Sequence, residues 1–99
     1  LLRSVLHVTV IGLLRASPTS IELFSELNDS LDSQMRGVDL DLGGVLFVDS
    51  LWLGFLVSLA ARCRDLDIAF TISAASPQVV RVVCDAHLDQ ALPLPREYA

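Results

Sequence analysis

The residues able to do chemistry begin with Asp49 and Ser50, which stand between a short apolar run, Val45 to Val48, and a long apolar segment. An aspartate or serine at such a junction accepts hydrogen bonds from the free N–H groups of a helix start, a capping role worth about 1 kcal/mol. Two further carboxylate pairs, Asp39/Asp41 and Asp65/Asp67, are spaced two residues apart. In a strand that spacing puts both side chains on one face, so the first pair reads as an exposed end of a strand. The second pair reads as a solvated turn. His7 falls inside a strand and His87 near the end of a helix, and neither has an acidic or imidazole partner at ligand spacing, so no metal site is expected. Cys63 and Cys84 lack zinc-site spacing and the density of a disulfide scaffold, and read as two reduced, largely buried thiols. The sequence holds no G-x-S-x-G elbow, no G-x-G-x-x-G loop and no lysine for a phosphate-binding loop. The expectation is a protein that is not an enzyme and needs no cofactor.

The elements that must position these residues follow from periodicity. Val5 to Ile11 alternates with β-branched enrichment and reads as a strand stopped by Gly12. Ser17-Pro18 is a helix start, and Ile21, Leu23, Phe24, Leu27 and Leu31 recur at near-helical spacing, predicting a helix from Pro18 to about Gln34 with Gly37 as its stop. Val38 to Leu42 and Val45 to Val48 read as strand segments interrupted by Gly43-Gly44. Asp49-Ser50 opens a second helix whose apolar residues run nearly all round it, with Arg62 and Arg64 in the last turn, where cations suit the dipole. Ile68 to Ile72 is a strand. Ser76-Pro77 caps a third helix, with Val79, Val80, Val83 and Cys84 facing inward. Leu92 to Leu94 forms a short apolar tail broken by prolines, either an edge strand or a loop. The order β-α-β-α-β-α defines an α/β fold with parallel strand pairing, one domain over residues 1–99.

Composition narrows the partners. Of 99 residues, 53% are hydrophobic and 19% charged, which excludes a disordered or solvating segment. The net charge is −5 and the seven basic residues are all arginine, spread along the chain, so nucleic acid is not an expected partner. The most apolar run, Leu51 to Ala61, is about half of what crosses a bilayer, so no direct membrane insertion is expected. No signal peptide is evident, and a cytoplasmic location is expected. Arginine in place of lysine suits a GC-rich bacterial genome, and a leucine at position 1 suggests a domain taken from a longer protein.

The segment Asp41-Leu42-Gly43-Gly44-Val45-Leu46-Phe47-Val48-Asp49-Ser50-Leu51-Trp52-Leu53-Gly54 resembles the signature of the STAS domain family, the anti-sigma factor antagonists and their relatives, D-L-S-x-V-x-F-I-D-S-[ST]-G-L-G. Asp41, Leu42, Val45, Phe47, Asp49, Ser50, Leu53 and Gly54 match it. The first strand ending in Gly12 and the Ser76-Pro77-Gln78-Val79 helix start extend the likeness over most of the chain. The resemblance implies a small mixed sheet with helices packed on one face. It also implies a regulatory module that binds an anti-sigma factor with serine kinase activity, with Ser50 as phosphate acceptor and transcription regulation as the outcome. Phosphate brings about −1.5 to −2 charges, which a helix N-terminus tolerates and a partner surface shaped for a hydroxyl does not.

The chain departs from the family pattern in two places. Leu51 and Trp52 replace the small hydroxyl residue and glycine after the Asp-Ser pair, and Arg15 stands where an acidic residue helps engage the kinase. Asp49, Ser50, Leu51, Trp52 and Arg15 are therefore the expected partner-binding residues. Trp52 either anchors a partner or lies in the core. The alternative function is an interaction or scaffold domain without phosphorylation, a transporter subunit or a sensor-complex component that binds other STAS or transporter proteins.

Overall fold

Each helix starts where a side-chain oxygen caps it. Ser17 Oγ accepts from the Ser20 N–H at 3.1 Å, Asp49 Oδ1 from Trp52 at 2.8 Å and Ser76 Oγ from Val79 at 3.2 Å. Pro18 and Pro77 occupy first-turn positions, where a missing N–H costs nothing. The computed structural model describes residues 4–95. Its elements are β1 (Val5–Leu14), α1 (Pro18–Asp29), β2 (Gly37–Val48), α2 (Ser50–Asp65), β3 (Ala69–Ala75) and α3 (Pro77–Asp85). Residues 96–99, the end of the expected single domain, lie outside the described residues.

The helix stops were not legible as such. Asp67 and His87 both take φ of 58°, left-handed values that seldom suit a residue with a side chain. Each follows a helix cap, and the bonding around each is alike. Ile68 N donates to Cys63 O and Asp67 N to Arg64 O; Leu88 N donates to Val83 O and His87 N to Cys84 O. This is the Schellman arrangement, with the apolar residue after each stop folding back on the core. One of the two histidines and one member of a carboxylate pair are thereby helix terminators. The first helix ends early, at Asp29 rather than about Gln34, with the Ser30 hydroxyl donating to Leu27 O at 2.7 Å. Gly37 does not stop it but opens β2.

The sheet has the order β1-β2-β3 with both pairings parallel, so all three described strands are parallel where a mixed sheet was expected. Val38, Leu40, Leu42, Val45 and Val48 of β2 are buried, and with Ile72 of β3 and Val79 and Val83 of α3 they build the core under α2 and α3. The opposite face carries the row His7–Asp39–Thr71, in register across the strands. Asp39 accepts from Thr71 Oγ1 at 2.9 Å and lies 3.3 Å from His7 Nδ1. Partial burial raises the Asp39 pKa, but hydrogen bonds from Thr71, His7 and Ser73 outweigh it and hold the carboxyl below its ordinary value.

Two strands run longer than periodicity indicates. β1 passes through Gly12 to Leu14, and β2 passes through Gly43-Gly44 as one strand. The register slips on both sides of Gly12, whose φ of +90° admits glycine best. Gly44 lets Ile11 approach, since a Cβ there would meet Ile11 Cγ2 at 2.7 Å. The glycines therefore bend a paired ladder rather than end it. Leu92 is fully buried, and the Leu92–Leu94 segment is a loop, not an edge strand. Cys63 is buried and burial pushes its thiol pKa up, whereas Cys84 is exposed. Val79 and Val83 are the buried residues of α3 and Val80 packs partly against the core, whereas Cys84, expected to face inward, turns about 100° away from Val83 to solvent.

Candidate functional site

β1 and β2 end side by side, with Leu14 paired to Val48, and the chain then enters α2. The Asp49 N–H donates to Leu14 O at 3.0 Å, which ties the helix entrance to the end of β1. The Asp49 carboxylate does two jobs. Oδ1 caps α2 through Trp52 N at 2.8 Å, and Oδ2 accepts from Ala16 N at 2.7 Å in the loop before α1. Those two backbone bonds, Trp52 first, hold the Asp49 pKa below the ordinary carboxylate range, with a smaller contribution from the Arg15 charge. Asp49 is thus a clamp between two segments. Among the described residues it makes no hydrogen bond to the Ser50 hydroxyl.

Ser50 is the first residue of α2 and is exposed. Its hydroxyl sits at the positive end of a helix of 16 residues, with the neighbouring carboxylate already engaged. Arg15 is exposed near Asp49. With Leu13, Ser17, Ser20 and Asp49 it lines an open cleft of about 380 Å³. Leu51, next along the helix, is 43% exposed.

Trp52, expected either to anchor a partner or to lie in the core, lies in the core. It is 4% exposed, and its indole faces the core. Its ring meets Phe24 at 5.9 Å and Phe55 at 5.3 Å, both edge to face, and Phe24 and Phe55 stack at 4.2 Å. The indole N–H donates to Ser20 Oγ at 3.2 Å. Ser20 Oγ also accepts from Ser17 N and donates to Arg15 O, which uses its full capacity. The reason lies in the helix geometry: positions 52, 53 and 56 share the inward side of α2, while 50, 51 and 54 face out. Trp52 therefore positions the Arg15 loop from inside and presents no surface for docking.

Four exposed apolar residues in the last parts of β1 and β2 were not among the expected partner-binding residues. Ile11 is 77% exposed, Leu13 53%, Leu46 72% and Phe47 38%. Leu13 and Phe47 are cross-strand partners. The signal for the first two was present: the outward alternation of His7 and Thr9 continues to Ile11 and Leu13. Leu46 and Phe47 are adjacent in sequence, and both face solvent because the register slips near the glycines.

Fold and site define a small parallel α/β binding domain with an acid–serine pair at a helix entrance and an apolar rim. The sequence model of the STAS domain matches residues 4–97, nearly the whole chain, and the chain belongs to that family. Membership makes it, in general terms, a protein-interaction and regulatory module. No curated protein matches the chain. Among the described residues, no helix is long and apolar enough to cross a membrane.

Proposed function

We propose that this domain is a non-catalytic, cytoplasmic antagonist that docks on an anti-sigma factor with serine kinase activity, and that phosphorylation of Ser50 ends the docking. The observation that carries this reading is an exposed serine at the start of α2, followed by the exposed Leu51, with exposed Leu13, Leu46 and Phe47 on the two strands that end at the helix entrance. Exposed apolar side chains at one end of the sheet fit a protein interface, with the polar cleft at Arg15 as its rim. A phosphate on Ser50 is tolerated by the helix dipole and leaves the fold intact. On the partner side it inserts about −1.5 to −2 charges into an apolar contact, where desolvation makes it costly.

The test is capture of the partner from extract of the source cells, with bound proteins and Ser50 phosphopeptides identified by mass spectrometry. The wild type and Ser50→Ala should retain the kinase; Ser50→Glu and Leu13→Asp/Phe47→Asp should lose it. Retention of the kinase by Ser50→Glu, or no Ser50 phosphopeptide after incubation with active kinase and ATP, refutes the switch. The exposed apolar rim also suits a lasting contact. Capture of a transporter subunit or another STAS protein, equal for wild type and Ser50→Glu, establishes the scaffold reading instead.

A further inference from the structure

The helix α1 does not sit down on the sheet. None of its side chains is fully buried, and Leu23 is 50% exposed although it lies on the side towards β1 and β2. Between the helix and the sheet lies a cavity of about 260 Å³. Its walls are the apolar faces of β1 and β2, Leu23 and Leu27 of α1, and Trp52 and Leu56 of α2. Glu26 and Ser30, at its edge on α1 and just after it, are the lining residues with oxygen-bearing side chains. An apolar void of even about 150 Å³ stays dry and takes up a small hydrocarbon. This one is larger and opens to solvent along α1.

We propose that this cavity is a binding site for a medium-length aliphatic chain whose head is a hydrogen-bond donor without negative charge, such as a primary alcohol. The walls supply the dry surface for the chain. The polar groups select the head. Glu26 carries a negative charge on a protein of net charge −5, which repels a carboxylate and accepts a hydrogen bond from a hydroxyl. The Ser30 hydroxyl already donates to Leu27 O at 2.7 Å, so towards a ligand it offers an acceptor. Both groups therefore ask the ligand for a proton donor. The site is separate from the reading of Ser50 and does not depend on it.

Trp52, the sole tryptophan in the sequence, forms part of the wall and reports on occupancy. Its emission is followed while hexanol, octanol, decanol and octanoate are titrated into the full chain. A saturable change with alcohols is expected, with affinity rising about fourfold per added methylene until the cavity is full. Octanoate should bind roughly tenfold more weakly than octanol. Val8→Phe and Leu27→Phe, each filling the void from a different wall, should weaken octanol at least tenfold; two variants guard against one that fails to fold. Glu26→Lys, at an exposed position, should bring octanoate to parity with octanol or better. Absence of a saturable response in the wild type overturns the site, as does unchanged octanol binding in a folded filling variant. Equal binding of octanol and octanoate by the wild type overturns the selection of the head group.

Discussion

Replacing Trp52 with alanine separates a core role from a surface role. The side chain is 4% exposed, makes two edge-to-face contacts and donates to Ser20. Truncating a buried tryptophan costs about 3–5 kcal/mol, a range that already includes lost aromatic contacts and hydrogen bonds. The cost should fall in its upper half. Trp52 borders an existing void of about 260 Å³, so its removal enlarges a space whose other walls have not closed. About 4 kcal/mol corresponds to a fall in Tm of roughly 20 °C for a domain of this size. Set against a total stability of about 5–15 kcal/mol, that removes roughly a quarter to four-fifths of it. Trp52→Phe keeps most of the ring and should lose about 1–2 kcal/mol, including the indole bond to Ser20. Thermal unfolding by circular dichroism, with urea titration at 25 °C, measures both. A Tm within about 3 °C of the wild type for Trp52→Ala, together with loss of partner capture, refutes the placement of the indole in the core.

Gly12→Ala should cost about 1–2 kcal/mol in urea titration through backbone strain alone, because φ is +90° and a Cβ there meets nothing within 4 Å. Gly44→Ala should cost at least as much by a different route, since the added Cβ would lie 2.7 Å from Ile11 Cγ2 and 3.3 Å from its Cβ, on a β-branched side chain that is stiff at χ1. The folded-state pKa of Asp49 is lowered, so its ionised form stabilises the fold above the unfolded value of 3.8, and this is lost as pH falls through the folded value. The Tm gap between the wild type and Asp49→Asn should therefore stay constant from about pH 7 to 5 and narrow below about pH 4. A thiol reagent should label Cys84 in the native protein and reach Cys63 only on unfolding, because Cys63 is fully buried with its thiol pKa raised.

The helix starts were legible because each is written in one residue, Ser17, Asp49 or Ser76, whose side chain acts within its own turn. The stops at Asp67 and His87 were not. A left-handed residue without glycine is decided by the apolar residue after it finding the core, which is a tertiary event. Glycines carried the wrong message in the strands. Gly12, Gly43 and Gly44 read as breaks, yet parallel pairing persists through them because a neighbouring strand supplies the hydrogen bonds. Within the site, the Asp49–Ser50 pair was visible as local sequence. The second bond of Asp49, to Ala16, joins residues 33 apart and had no local trace. The position of Trp52 was undecided because α2 is apolar on nearly every side, so periodicity gave no inward direction.

The wholly parallel sheet has a consequence for synthesis. His7 and Asp39 are 32 residues apart, as are Asp39 and Thr71, and no described strand meets its partner through a tight turn. Among the described strands β2 alone touches both others, so β1 cannot pair until β2 exists. At about 5–20 residues per second, those 32 residues take some 2–6 s to make. For that interval β1, apolar along most of its ten residues, has emerged with no strand to pair with. The domain's exposure to misassociation is therefore greatest between the synthesis of β1 and that of β2, and the arrival of β2 ends it.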